Sequence, residues 1–418
     1  MNRRDFYDIH CHAMNFSHPN LFAFLKRKLT IVIMASPLAP VAKFFFRTKF
    51  NRVINLFSLM ENDIADFFLI MEYYLKKMLQ GSPIKIGDTI YDKIILTPLM
   101  MDFGYKGIKG GIFYDVAPQK PIVEQVVDIF NGIKKYSENE LIVKSDGMIG
   151  YTAAQKDNKL FEIYPFLGIN TKNYTYKEVE NLLVKYFSDY NCDRKSLYEN
   201  MGKFNGNIDE TGSNFFAGIK VYPPLGFDPW PAANSSEFAK VKCLYHYCCE
   251  KKIPITTHCS EGGFSIDKNA EENSSPKRWK HVLKKSEFKD MKINFAHFGR
   301  QDKTFGIIPK KEWENTILEL IGTNENVYAD FSYRGVDEKY YLYLNNLIDK
   351  QSDHAFKKKL RQRILFGSDF MINLLDVDSY NDYLRQFAEV TGSVSDEDKN
   401  LFCSSNPEDF LFGKRQTG

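Results

Sequence analysis

Apolar residues fall into two alternating rhythms along this chain. Short β-rich runs such as Ile253-Pro254-Ile255-Thr256-Thr257, Ile293-Asn294-Phe295-Ala296 and Ile364-Leu365-Phe366 have the length and composition of buried strands. Between them, apolar side chains recur every three or four residues, which is the spacing of amphipathic helices. Helices are expected over 236–250, 276–285, 311–320 and 339–350, each between two strand-like runs. Upstream, strands are expected from Asp5, over 93–101, over 161–170 and over 215–222. Helices are expected over 121–136, 176–187 and 196–201, with one continuous helix from Val53 to Leu75 closed by Gly81-Ser82-Pro83. The polar, turn-rich stretch 141–159 reads as a surface hairpin, and the glycine-rich stretch 104–111 as an active-site loop.

Strands that alternate with helices pair in parallel through right-handed crossovers. Eight such strands, the last ending at Asp369, predict an α/β fold of the (β/α)8 barrel type, distorted by helical insertions after strands one and three. No repeat or Ser/Gly linker divides the 418 residues, so one domain is expected over 1–418, with insertions at 14–90 and 171–212.

Composition narrows the function. A net charge of +3 from 56 basic and 53 acidic residues gives no electrostatic reason to bind nucleic acid. Seven cysteines without paired spacing suit free thiols in a reducing compartment, and the start of the chain leaves no room for a signal peptide, so a cytoplasmic protein is expected. The most membrane-like stretch, 29–42, is too short to span a bilayer, which takes about 20 apolar residues. It is read instead as a lid, a core segment or a candidate self-association surface of a homo-oligomer.

The candidate chemistry lies at the strand ends. In Asp8-Ile9-His10-Cys11-His12 the strand period of two puts His10 and His12 on one face, as a chelate. Three later strands end in His258, His297 and Asp369, and the fourth ends in Lys220 just before Pro223-Pro224. A parallel barrel gathers such ends at one mouth. Arg300, after Gly299, has the guanidinium fork that clamps a carboxylate. Asp8 is placed to orient a ligand imidazole, and Asp102, Tyr222, Trp230, Glu261 and Arg334 are candidate cavity walls.

This set, with the phrases Gly218-Ile219-Lys220-Val221-Tyr222-Pro223-Pro224, Phe366-Gly367-Ser368-Asp369 and Asn406-Pro407-Glu408-Asp409-Phe410, resembles the amidohydrolase superfamily, in its amidohydrolase-related branch. The resemblance implies a divalent metal, most often zinc, one or two per chain, and a small-molecule substrate. His10 and His12 would be ligands. Asp369 would be ligand and general base, as metal-bound hydroxide attacks a C–N or C–O acyl bond. His258 and His297 would both be ligands, or one a ligand and the other a proton shuttle or electrophile. Lys220 would bridge two metals as a carbamate, or as an amine hold a substrate anion beside Arg300, Tyr222 and Asp102. The resemblance also allows non-oxidative decarboxylation of an aromatic or unsaturated acid, and a barrel that only binds metal or ligand is a second rival.

Overall fold

The computed structural model describes residues 3–19, 47–104, 120–146, 148–155, 158–266, 268–302 and 310–413. The stretch 29–42 and the glycine-rich loop beyond Gly104 lie outside them.

Parallel strands occupy eight positions. They are Arg3–Cys11, Thr89–Pro98, the broken pair Phe161–Ile163 and Phe166–Gly168, then Gly218–Val221, Ile255–Thr257, Ile293–Phe295, Val327–Asp330 and Ile364–Leu365. Each pairs with the next in order, and two junctions complete the ring. Leu99 bridges Phe166 in parallel, and Cys11 bridges Phe370. At the second junction Ile9 N donates to Phe366 O at 3.3 Å and Asp369 N to His10 O at 2.7 Å. The first and last strands therefore lie side by side, and the architecture is the expected barrel.

Two expectations are corrected in detail. The helix expected from Val53 to Leu75 is two helices, Arg47–Met60 and Ile64–Leu79. Glu61-Asn62-Asp63 separates them, where the Asn62 amide donates back to Ser58 O at 2.6 Å and Asp63 takes an extended conformation. The third strand is interrupted at Tyr164-Pro165, because proline cannot donate to a ladder. Its first piece pairs with strand two and its second with strand four. Three short helices, His354–Arg361, Tyr380–Glu389 and Asn406–Phe412, were not expected from the periodicity.

The insertion helix Ile64–Leu79 packs on Ile122–Glu138 and is tied to the barrel through Glu72. That buried carboxylate accepts from Tyr136 Oη at 2.8 Å, Leu160 N at 2.6 Å and Lys159 Nζ at 3.2 Å, so its charge is balanced where it lies. The predicted hairpin forms as Asn139–Val143 against Ile149–Ala153. Among the described residues no helix is long and apolar enough to cross a membrane.

Candidate metal centre and its cavity

Alternation along the first strand buries Ile9 and Cys11 in the core and turns Asp8, His10 and His12 inward. His12 Nδ1 lies 2.9 Å from the carbonyl of Leu99, which can only accept. Its Nε2 stands 3.2 Å from Asp369 Oδ1. His10 Nδ1 lies 3.1 Å from Asp330 Oδ2 and 2.9 Å from Ser332 Oγ, while its Nε2 has no hydrogen-bond partner among the described residues and faces Asp369 Oδ1 at 3.4 Å.

The sixth and eighth strands end in strained backbone. His297 and Asp369 both have φ 60, a left-handed conformation that costs a non-glycine residue free energy and is retained where the surroundings fix it. At His297 the surroundings are Asp330 Oδ1, which accepts its backbone N–H at 3.1 Å. Its ring points Nδ1 at Ser332 O at 3.1 Å and Nε2 at His258 Nδ1 at 3.2 Å. Gly367 is required beside this turn, since a Cβ there would sit 2.7 Å from the Cβ of His10. His258 completes the group, with Nε2 3.0 Å from Ser260 Oγ and its ring 4.5 Å from that of Tyr222.

Ligand atoms of His10, His297 and Asp369 all lie within 4.8 Å of one another, and all three residues are buried. Burial holds the imidazoles neutral, lowering His10, pushing His297 down to about 4 and His258 well below the usual range. Burial also works against the charge on Asp369. There the hydrogen bond to His12 and the neighbouring imidazoles outweigh it, and the carboxyl stays below its usual value. Neutral imidazoles around ionised carboxylates are the protonation states a divalent cation needs. With the orphaned Nε2 of His10 aimed among them, the donor set fits such an ion.

The cluster floors a cavity of about 230 Å³. His12, His258, His297 and Asp369 form its base, and Tyr222, Phe264, Arg300, Tyr333, Ile372 and Leu375 belong to its walls. Arg300 is exposed at the mouth, its guanidinium 5.0 Å above the Tyr333 ring.

The fold thus brings together His10, His12, His258, His297 and Asp369, with Tyr222 and Arg300 on the wall. Lys220 is buried in the barrel outside the cavity lining, and its Nζ has no hydrogen-bond partner among the described residues. Burial pulls its pKa down to about 8, although Asp330 and Asp369 act in the opposite sense. Asp102 is not on the cavity wall: its carboxylate is taken by Gly104 N at 3.0 Å, Asn170 N at 2.9 Å and the Asn173 amide at 3.0 Å, and it ties loops together. Asp8 accepts from Ser368 N at 2.9 Å and His10 N at 3.3 Å, pinning the first strand to the eighth. Glu261 reaches the cavity but is paired with Lys310 at 3.0 Å. Trp230 and Arg334 lie outside the lining, the latter over Tyr340 at 4.4 Å.

Asp330, Ser332 and Tyr333 were missed as site residues. The signal was present, because the seventh strand ends in an acid as the eighth does, but an acid at a strand end reads equally well as a cap.

Residues 208–413 match the family model described as Amidohydrolase. Over that span the chain is similar to the amidohydrolase family. The span carries Lys220, His258, His297 and Asp369, and barrel closure brings the histidine pair of the first strand to this candidate site. No curated protein sequence matches the chain. Among solved structures, it is similar to a probable 2-pyrone-4,6-dicarboxylic acid hydrolase from Acinetobacter baumannii (12% identity, 98% of this chain and 100% of that one, TM-score 0.47). It is also similar to the phosphotriesterase homology protein from Escherichia coli (10%, 98% and 100%, TM-score 0.44) and to an IDCase from Metarhizium anisopliae (12%, 97% and 97%, TM-score 0.40). The family match covers residues 208–413, and these distant likenesses add no argument to it.

Proposed function

We propose that the protein is a metal-dependent hydrolase that cleaves a C–N or C–O acyl bond of a small organic substrate. The observation that carries this reading is the position of Asp369, which belongs both to the buried ligand cluster and to the cavity floor. His10, His12, His297 and Asp369 would hold the cation, with His258 beside them, and zinc suits a set of imidazoles and one carboxylate. When bound, such an ion supplies Lewis acidity to a carbonyl and to water.

The chain's own groups supply the rest. Asp369 Oδ1 is engaged with the two first-strand imidazoles, so Oδ2 is the oxygen that takes the proton of the attacking water and returns it to the leaving group. His258, kept neutral by burial and backed by Ser260, stands with Nδ1 3.2 Å from His297 Nε2 and steadies that ring. Tyr222, Phe264, Ile372 and Leu375 exclude water around the reacting bond. A carbamate on Lys220 would raise the metal count from one to two. Seven free thiols support a cytoplasmic location, and we treat residues 1–418 as one working unit.

One observation favours a second reading. Arg300 presents its guanidinium at the mouth, where it suits an acid substrate, and decarboxylation of that acid needs no water. A panel of lactones, amides, cyclic imides and unsaturated acids, assayed with zinc in H₂¹⁸O, separates the two. Hydrolysis puts ¹⁸O into the product acid. Release of carbon dioxide without ¹⁸O uptake would replace the first reading by the second, and turnover that survives Asp369→Asn would overturn both.

A further inference from the structure

Asp330 ends the seventh strand with no exposed surface, and nothing in the proposed chemistry uses it directly. Its surroundings consist of donors. Oδ1 accepts from His297 N at 3.1 Å and Ser332 N at 3.0 Å, and the Ser332 hydroxyl donates to the same oxygen. Oδ2 accepts from the Asn294 amide at 2.6 Å and meets His10 Nδ1 at 3.1 Å. Two of these partners are backbone N–H groups and cannot reverse roles.

We propose that Asp330 is a positioning residue that sets the tautomer of His10 and the backbone of His297 together, so that one carboxylate from strand seven aims ligands carried by strands one and six. An ionised carboxylate only accepts, so the proton of neutral His10 must sit on Nδ1. Its Nε2 then carries a lone pair, and this is the buried atom that has no partner among the described residues and faces Asp369. The same carboxylate holds His297 in its left-handed turn through the backbone N–H. This role rests on the metal reading above, but the tautomer it demands does not need a bound ion.

Asp330→Asn tests it with little change of shape. The amide keeps its oxygen toward the two backbone N–H groups and turns its NH₂ toward His10 Nδ1, which must now accept; the proton moves to Nε2 and blocks the ligand position. In the metal-free full-length protein labelled with ¹⁵N-histidine, near pH 8, ring correlations should give Nδ1–H for wild-type His10 and Nε2–H in Asp330→Asn. Zinc affinity, by competition with a chromophoric chelator, should fall about 10- to 100-fold in the variant. An Nε2–H tautomer in the wild type overturns the proposal, as does a folded variant with zinc affinity within twofold of wild type. If Asp330→Asn does not fold, the wild-type tautomer alone decides. If the wild type binds no zinc, the metal reading fails and the tautomer still judges Asp330.

Discussion

The floor and the mouth of the cavity are built on opposite principles. Directly beneath the floor, His10, Asp330, Asn294 and Ser332 have no exposed surface and are locked to one another by hydrogen bonds of 2.6 to 3.1 Å. At the mouth, Arg300 is exposed and rests on the Tyr333 ring, and Glu261 shares its charge with Lys310 across a loop. Hydrogen bonds among buried polar groups hold one geometry. Exposed cations on a rim can change partner at small cost. On the proposed function, generic chemistry would reside in the floor and substrate choice in the mouth, and substitutions should split along that line.

The largest effect is expected at the floor. Asp369→Asn removes the proton acceptor while preserving shape, and kcat should fall about 10²- to 10⁴-fold in steady-state assays with little change in KM. A loss under tenfold would show that the proton goes elsewhere. Next in size is acid sensitivity. An imidazole whose folded pKa is depressed contributes stability that is present above its unfolded value of 6.5 and lost as pH falls through the folded one. With His297 near 4, the metal-free protein should lose roughly 3 kcal/mol on going from pH 7.5 to 4 through this group alone, and His10 and His258 add in the same sense. Thermal melts across that range should fall below about pH 6.5; a flat profile would mean the imidazoles are not held neutral.

The mouth should respond differently. Arg300→Ala should raise KM for acidic substrates about 10- to 100-fold and leave kcat and zinc affinity near wild type. Equal losses with neutral substrates would remove its role in choosing acids. The smallest effect is expected from Tyr222→Phe, which deprives Phe264 N of an acceptor at 3.1 Å and should cost about 1 kcal/mol, read as a lower melting temperature with the metal retained.

The candidate ligand residues were legible in the sequence because parallel barrel strands repeat one rule: an apolar run, then a polar residue at the mouth. His10, His12, His258, His297 and Asp369 all obey it, and local sequence suffices to see each one. What supports them is not local. Asp330 meets His10 across 320 positions of chain, and its role appears only when the seventh strand stands near the first. Asp102 failed for the complementary reason: it has the right residue type at a strand end, but its carboxylate turns to the loop at Gly104, Asn170 and Asn173. The break between the two insertion helices was also hidden, since apolar spacing runs on through Glu61-Asn62-Asp63 while the backbone does not.

Metal content per chain tests the central claim most directly. Full-length protein loaded with zinc, dialysed and measured by elemental analysis should retain one equivalent, or two if Lys220 carries a carbamate, and His10→Ala with His297→Ala should retain none while still folded. Wild-type protein that keeps no metal, or a double variant that keeps as much as wild type, would contradict the account.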